Sequence, residues 1–512
     1  MRLVLIQLKA YGIENYIENA EYILGMLKKA AEKKPDFVLL PECAYPCYVL
    51  NNNEIIDSAL EYGNYLIEEM KKLCLKYGFY IACGMALRDK GVIKNQAVII
   101  DKTGKVIHTH TKSNMWHFDR TYYEPGNEYN VFDSEFGKIG AIVCADGRMP
   151  EISALLSKKG ADIILNLANL TSAGFNPQCL TNPQKEYMLC ARCRENNVYM
   201  ALCCKTGVEG DVLSNAGGSC VISPKGEIIS SLKPDEEEIL YCDIDISKRN
   251  EYLPQKRPYL YNIISKNTEE LPVAEFMECK FNVSYAVNYI SASAFKSENM
   301  KDYIYKAQKH IDLGRICKSE FMFLPETGFM CDENILINKI SSLLNDGEMV
   351  LISSYNSENK TYASLISKNG IEALWNKTDE NTEGYFCAET KIGKIGVIFG
   401  DEILIPEITR VYTLNGCAAV FVYGQHKNDI SDKITKTRAA ENKIYMVRSI
   451  NNDVLCAEMI SPEGSVVFST LKDKEQTSGG YINLFNAAFK DVVPGTNVIY
   501  GRKPESFKGL AE

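Results

Sequence analysis

The chain has 512 residues and a formal net charge of −9, with 57 basic and 66 acidic side chains. This acidic balance argues against nucleic acid or an anionic membrane as the main partner, and no apolar run approaches the ~20 residues of a membrane span. The 18 cysteines lack the spacing of a disulfide framework, and residues 1–10 are too short and strand-like for a signal peptide. We therefore expect a reduced, cytoplasmic protein of two or more domains.

The first half of the chain alternates short apolar runs with amphipathic segments. Apolar residues recur at helical spacing over residues 17–33 and 55–77, which predicts two helices. Strands are predicted at 37–40, 80–85, 97–100, 139–143, 163–167 and 198–203. We expect two packed layers of strands with helices outside.

Three chemically active side chains each follow an extended segment. Glu42 comes just after the first strand of this list, and Lys112 follows a stretch that starts at the turn 102–104. Cys144 follows the apolar run 138–143. Taken singly, a loop lysine is usually solvated and a free cysteine is usually a buried core residue. Together at strand ends, the three predict one site.

A helix is predicted to begin at Pro150, because proline suits the first helical position. Its amino end would lie near Cys144, where the partial positive charge of a helix start favours thiolate over thiol. We therefore expect a reactive, partly ionised thiol at this turn.

The motifs around these residues resemble those of the nitrilase superfamily of carbon-nitrogen hydrolases. The family's pattern Cys-x-Asp-x-Arg-x-Pro-Glu is matched by Cys144, Asp146, Arg148 and residues 150–151. Further family-like segments, in the family's order, are residues 3–7, 95–97, 123–126, 191–196, 218–219, 223–226 and 256–261. The resemblance covers about half of the chain and implies a four-layer αββα sandwich.

The resemblance also implies catalytic roles. Glu42 would take the thiol proton, and Cys144 would add to an amide carbonyl to form a thioester. Lys112 and the backbone amide of Ala145 would hold the developing oxyanion. The same glutamate would then protonate the departing ammonia and activate water against the thioester.

The chain departs from the family pattern at one position. Active members usually carry a second glutamate before the Pro-Gly, and the matching position here is Asp119, whose shorter side chain could alter the geometry. True nitrilases usually have Trp-Glu after the cysteine, whereas Ala145-Asp146 is closer to amidases and carbamoylases, so nitrile hydrolysis is disfavoured. Arg148 either grips a substrate carboxylate or has a structural role. Residues 166–175 and 206–215 are expected to shape specificity.

The second half of the chain repeats the first. Residues 321–326 align with 37–42, and residues 392–400 align with 136–144. Weaker repeats pair 437–442 with 191–196 and 461–464 with 223–226. Duplication is the simplest explanation.

The second copy lacks the nucleophile. Gly400 occupies the position of Cys144, although Glu326 remains and Lys377 is the candidate counterpart of Lys112. A base and a cation without a thiol cannot form the thioester. We predict an α/β protein of two tandem αββα sandwiches: a catalytic domain at 1–264, a linker at 265–275 and a degenerate domain at 276–512.

The resemblance further implies dimerisation through outer helices, so a fused copy could take the partner's place. The helix 150–159 would then pack on 406–414 as an internal pseudo-dimer with one working site, the alternative being two independent domains. Further self-association stays open. No cofactor or metal is expected. The pairs Cys43/Cys47 and Cys190/Cys193 could act as ligands, but the second pair falls in a helical pattern and is replaced by Lys436 and Ala439 in the repeat. The five histidines show no ligand spacing.

The function predicted from the sequence is hydrolysis of a linear amide or N-carbamoyl carbon-nitrogen bond through a cysteine thioester, with release of ammonia. The expected partner is a small-molecule amide or carbamoyl substrate. Two alternatives stay open: an acyltransferase or ammonia donor that uses the same thioester, and a scaffold in which neither half is active.

Overall fold

The computed structural model describes residues 1–172, 179–247, 249, 251–282, 286–356, 360–452 and 454–512. The chain forms two compact units. Unit 1 comprises Met1–Leu253, Asp491–Asn497 and Gly501–Leu510, and unit 2 comprises Pro254–Lys490, Val498–Tyr500 and Ala511–Glu512. Among the residues described, no helix is both long and apolar enough to cross a membrane.

Unit 1 contains two six-stranded sheets. The first is built from β1 (Arg2–Gln7), β2 (Phe37–Leu39), β3 (Tyr80–Asp89), β4 (Val92–Ile100), β5 (Val106–Thr111) and β14 (Glu238–Asp243), in the order β14-β1-β2-β3-β4-β5. The second is built from β6 (Val131–Ser134), β7 (Gly137–Val143), β8 (Ile163–Ala168), β9 (Tyr199–Cys204), β12 (Cys220–Ile222) and β13 (Ile228–Ser231), in the order β13-β12-β9-β8-β7-β6. A separate hairpin joins β10 (Thr206–Glu209) to β11 (Leu213–Ala216).

The helices of unit 1 are α1 (Tyr16–Ala31), α2 (Ile56–Tyr77), α3 (Asp119–Tyr122), α4 (Pro150–Lys158) and α5 (Leu189–Asn196). The predicted helices at 17–33 and 55–77 are therefore confirmed as α1 and α2. Their apolar faces are buried on the outer side of the first sheet, where Ile23 and Leu66 share a core with Val4 and Ile6 of β1. The amphipathic spacing of the sequence thus becomes the outer layer of the sandwich.

The two sheets of unit 1 pack face to face. Residues of β9 contact β1, and residues of β7 contact β5. The thiol of Cys203 on β9 lies 3.4 Å from the carbonyl oxygens of Ile6 and Leu39, which belong to the other sheet. Strands buried on both faces read as continuous apolar runs, as they do in this sequence.

Unit 2 has the same architecture. Its first sheet is built from β15 (Val287–Ala294), β16 (Phe321–Phe323), β17 (Met349–Tyr355), β18 (Thr361–Ser367), β19 (Gly370–Asn376) and β26 (Gln476–Asn483), in the order β26-β15-β16-β17-β18-β19. Its second sheet is built from β20 (Ala388–Thr390), β21 (Gly393–Phe399), β22 (Cys417–Tyr423), β23 (Tyr445–Ile450), β24 (Cys456–Ile460) and β25 (Val466–Ser469), in that order. Its helices are α6 (Pro272–Glu278), α7 (Met300–Ile316), α8 (Glu333–Ser341), α9 (Pro406–Leu414), α10 (Asp429–Asn442) and α11 (Leu484–Ala488).

The strand orders of the two units correspond strand for strand, which confirms the predicted pair of tandem αββα sandwiches. One difference is local to unit 1. The β10–β11 hairpin has no counterpart in the described part of unit 2, where the chain passes from β23 directly to β24.

The compact units differ from the predicted domain limits. The first part of unit 1 ends at Leu253, and the predicted linker 265–275 lies inside unit 2, where α6 begins at Pro272. The end of the chain returns to unit 1 as a C-terminal hairpin, formed by Asp491–Val493 and Thr496–Asn497, and a terminal 3-10 helix over Pro504–Leu510.

Candidate active site

Cys144 is the first residue after β7, in the 3-10 turn Cys144–Arg148 that precedes α4. Its φ of +49° is in the left-handed region, which is unusual for a residue with a side chain. The backbone amide of Cys144 donates to Oδ1 of Asn166 at 3.0 Å, and the residue is buried. A strained strand-to-helix turn therefore presents the thiol at the strand end.

Asp146 ties this turn to the segment that follows β5. Its Oδ1 accepts hydrogen bonds from the backbone amides of Ser113 and Asn114, at 3.0 and 2.8 Å. Its Oδ2 accepts from the Val143 amide at 3.1 Å and lies 2.8 Å from Nε2 of His110. Burial alone would raise the pKa of Asp146, but His110 and the backbone donors hold it below its ordinary value.

Glu42 lies just beyond β2 and is fully buried. Its Oε1 accepts from Nζ of Lys112 at 2.8 Å and from Nδ2 of Asn95 at 2.7 Å. Its Oε2 accepts from the backbone amide of Asn169 at 2.7 Å. A side chain at Gly84 would come within 2.2 Å of the Pro41 carbonyl oxygen, so the absence of a side chain there permits the close packing behind Glu42.

Lys112 lies between two carboxylates. Its Nζ is 2.8 Å from Glu42 and 2.8 Å from Oδ2 of Asp119, and its side chain is buried. Burial opposes the charge, but Asp119 and Glu42 outweigh this effect and raise the pKa of Lys112 well above its ordinary value. The lysine is therefore a buried ammonium.

Asp119, the residue that departs from the family pattern, reaches the lysine. It also accepts hydrogen bonds from the Tyr48 hydroxyl and, at 2.6 Å, from the Trp116 amide. Burial raises the pKa of Asp119 and nearby Glu42 adds to this, while the Lys112 ammonium lowers it.

The Cys144 thiol lies close enough to Glu42, Lys112 and the backbone amide of Asn169 for each of them to affect its pKa. Burial, and then the charge of Glu42, raise the pKa of Cys144 well above its ordinary value, although Lys112 acts in the opposite direction. The direction of this pKa shift is opposite to the partly ionised thiol that the sequence predicted. In a buried site the desolvation of a thiolate outweighs the favourable field of the helix start.

The other predicted site residues frame this cluster. The Ala145 carbonyl accepts from Nδ2 of Asn114 at 2.8 Å. Arg148 is buried, and its guanidinium carbon lies 5.3 Å from the centroid of the Trp116 ring. Both residues are within the turn that carries Cys144.

Several residues that shape the site lie outside the catalytic motifs recognised in the sequence. Asn166 and Asn169 fell in a segment considered only for specificity, yet they hold the Cys144 turn and Glu42. His110, which no motif singles out, is buried against Asp146. The sequence signal that could have identified His110 is its position in the strand that directly precedes Lys112.

A cavity of about 630 Å³ lies beside the Asp119–Lys112 pair. Tyr48 and Trp116, which both donate to Asp119, line it, and the Lys112 ammonium is 5.4 Å from the Tyr48 ring centroid. Both segments expected to shape specificity contribute, through residues 171–172 and 212–214. Residues 173–175 of the first segment lie outside the described residues.

Unit 2 keeps the backbone of this site without its chemistry. Gly400 follows β21 with a φ of +54°, and Glu402 accepts from the Phe399 amide as Asp146 accepts from Val143. Glu326 is buried and accepts from the Tyr355 hydroxyl at 2.8 Å. Lys377, in contrast to Lys112, is exposed. Gly400 has no side chain and therefore cannot act as a nucleophile.

Comparisons with known proteins agree with this description. The family model for carbon-nitrogen hydrolases matches residues 5–252 and 296–484. A nitrilase of Pyrococcus abyssi is 30% identical over 227 residues, which cover 43% of this chain and 81% of that protein. An omega-amidase of Bos taurus is 26% identical over 285 residues, which cover 52% of this chain and 99% of that protein.

A solved structure of a mutant amidase of Nesterenkonia, from the nitrilase superfamily, is 20% identical, with a TM-score of 0.43, and covers 49% of this chain and 92% of that one. The two segments matched by the family model span well over half of the 512 residues. Both correspond to the sandwiches of the structure, one in each unit. The chain belongs to the carbon-nitrogen hydrolase family.

Proposed function

We propose that unit 1 hydrolyses the carbon-nitrogen bond of a linear amide through a thioester on Cys144 and releases ammonia. The observation that carries this proposal is the convergence of the Cys144 thiol, the Glu42 carboxylate and the Lys112 ammonium in one buried cluster. These groups are a nucleophile, a base beside it, and a cation paired with that base.

The acylation step begins with a neutral thiol. Glu42 takes the proton from Sγ of Cys144 as the sulfur adds to the amide carbonyl, so a thiolate need not exist beforehand. The negative charge that develops on the carbonyl oxygen is stabilised by the Lys112 ammonium and by the backbone amide of Ala145. Glu42 then gives its proton to the nitrogen, and ammonia leaves as the thioester forms.

The deacylation step uses the same groups. Glu42, again a carboxylate, removes a proton from water as the water attacks the thioester carbonyl. Collapse of this second tetrahedral intermediate breaks the carbon-sulfur bond, and Glu42 returns the proton to the sulfur. The products are a carboxylic acid and the free thiol. Asp119 is expected to keep Lys112 charged and aligned throughout, because it forms the second ion pair of that ammonium.

The amide is the substrate class we favour. The relatives include an omega-amidase and a deaminated glutathione amidase as well as a nitrilase. An N-carbamoyl compound is the second candidate, since the same attack on its terminal carbonyl also releases ammonia. The cavity of about 630 Å³ beside the ion pair is large enough for a small linear acyl group.

Ammonia release from linear amides, N-carbamoyl amino acids and nitriles tests the proposal. We expect turnover of amides, and its loss in Cys144→Ala. Cys317→Ala, which removes an exposed cysteine of unit 2, is the matched control and should stay fully active. Turnover that survives in Cys144→Ala would exclude this site.

Trapping of the intermediate separates the alternatives. Intact mass measured during turnover should show an acyl group on Cys144. If the acyl group passes to an added amine faster than to water, the protein is an acyltransferase. If no substrate in the panel is turned over and no acyl adduct forms, neither unit is catalytic and the scaffold alternative holds.

A further inference from the structure

The C-terminal hairpin is part of the catalytic unit, although it follows the whole second repeat in the sequence. Its Val493 belongs to unit 1 and lines the cavity beside the Asp119–Lys112 pair. The valine is partly exposed. It thus forms a piece of cavity wall contributed from the far end of the chain.

Thr496 of the same hairpin holds the segment that follows Lys112. Its Oγ1 accepts from the backbone amide of His117 at 2.7 Å and donates to the carbonyl of Met115 at 3.3 Å. The hydroxyl therefore bridges the two peptide groups on either side of Trp116. Thr496 is itself buried.

This bridged segment leads directly to the chemistry. The Trp116 amide donates to Oδ2 of Asp119, the same oxygen that pairs with Lys112. His117 has a φ of +46°, a costly conformation that needs support from its surroundings. That support includes Thr496 at its amide and Gly495, whose added side chain would lie 3.3 Å from the His117 carbonyl oxygen.

The terminal 3-10 helix makes a second connection. The Phe507 ring stacks on the Tyr129 ring at 6.1 Å between centroids, and the Tyr129 hydroxyl donates to Oγ of Ser113 at 3.0 Å. Ser113 in turn donates to Asp146. The C-terminal part of unit 1 therefore contacts both the segment 115–117 beside Asp119 and the tyrosine that supports Ser113 and, through it, Asp146.

We propose that the C-terminal hairpin completes the active site of unit 1. Val493 is a specificity-determining residue that limits the size of the acyl group, and Thr496 is a positioning residue that acts through residues 115–117 on Asp119 and Lys112. This inference rests on the proposed function for the identity of the acyl group, but its tests below use binding and alkylation at Cys144 and need no turnover.

The test of Val493 uses aldehydes, which add reversibly to a thiol and place their alkyl chain where an acyl chain would lie. Propanal and 4-phenylbutanal are compared as protectants of Cys144 against iodoacetamide, with alkylation at Cys144 followed by peptide mass spectrometry. Val493→Phe should raise the half-protecting concentration of 4-phenylbutanal about tenfold, whereas Val493→Ala should lower it several-fold. Propanal should protect all three proteins within about twofold.

Two outcomes would overturn the role of Val493. One is an unchanged ratio of the two aldehydes in all variants, and the other is a failure of both aldehydes to protect Cys144 in the native protein. If the ratio shifts as expected but no amide is hydrolysed, the cavity wall is correct and the proposed function is wrong. If amides are hydrolysed but the ratio of the two aldehydes is unchanged in the variants, the proposed function is correct and the role of Val493 is wrong.

The test of Thr496 uses the pH dependence of Cys144 alkylation. Thr496→Val keeps the shape but loses both hydrogen bonds, so Lys112 should be displaced and the alkylation profile should move to higher pH. Thr496→Ser, which keeps the hydroxyl, should restore the native profile. Thr470→Val removes a buried threonine hydroxyl that accepts from Ala457 in unit 2, and it should leave the profile unchanged. A native profile in Thr496→Val, or an equal shift in Thr470→Val, would refute the positioning role.

Discussion

Removal of the Lys112 ammonium should destabilise unit 1 strongly, and more at alkaline than at acid pH. In Lys112→Met the carboxylates of Glu42 and Asp119, each 2.8 Å from Nζ in the native protein, lose their shared cation while both stay buried. Loss of one partner of a buried pair costs about 3–5 kcal/mol. Lys377→Met, at the corresponding exposed position of unit 2, should cost less than about 0.5 kcal/mol.

The pH dependence follows from the sign of the Asp119 shift. Burial already raises the pKa of Asp119, and loss of Lys112 removes the main effect that lowers it. A carboxyl group whose folded pKa lies above its unfolded pKa gains stability as the pH falls through the folded value. The stability difference between Lys112→Met and the native protein should therefore narrow from pH 8 to pH 5.

The assay uses the two tryptophans of the chain, Trp116 in unit 1 and Trp375 in unit 2. In a Trp375→Phe background, the fluorescence of Trp116 reports the urea unfolding of unit 1, which carries Lys112→Met. In a Trp116→Phe background, the fluorescence of Trp375 reports the unfolding of unit 2, which carries the control Lys377→Met. The double variant Lys112→Met, Asp119→Asn should regain part of the stability but no activity. Equal losses of unfolding free energy in Lys112→Met and Lys377→Met, or a loss in Lys112→Met that does not change with pH, would contradict the predicted stabilisation by the Lys112 ion pairs.

Two further predictions concern the support of the site. Gly84→Ala should displace Glu42 and lower both stability and turnover. In contrast, Gly25→Ala should stabilise α1 by about 0.5–1 kcal/mol in urea unfolding, because an added side chain there meets nothing within 4 Å. Equal changes in unfolding free energy in the two variants would contradict the close packing behind Glu42. The pKa of Asp146 is held below its ordinary value, so its contribution is present above the unfolded pKa and lost as the pH falls through the folded one. Asp146→Asn should consequently lose stability at neutral pH but little in acid, and a pH-independent loss would exclude the linkage.

The predicted packing of the helix 150–159 on 406–414, further self-association and a cytoplasmic location stay predictions. Cross-linking between cysteines placed at Ser157 and Thr413 would test the first. A rapid, specific disulfide is expected if the helices pack together, and its absence would favour two independent domains.

Patterns in the sequence were enough to predict the sandwich and the identity of the proposed reacting groups. Strand ends can be located from apolar runs, and the resemblance to the carbon-nitrogen hydrolases then groups Glu42, Lys112 and Cys144 in one site. The duplication and the loss of the nucleophile at Gly400 were also predictable, because short motifs recur in the same order in both halves of the chain and can be aligned residue by residue.

The raised pKa of Cys144 and the contacts of the C-terminal hairpin with residues 115–117 emerge only from the folded structure. Burial raises the pKa of this thiol, and burial is a property of the whole fold rather than of the turn that carries the cysteine. Val493 lines the cavity and Thr496 bonds to His117, although both residues follow the second repeat in the sequence. Such contacts join segments far apart in the chain, and they arise from packing that no local pattern of residues encodes.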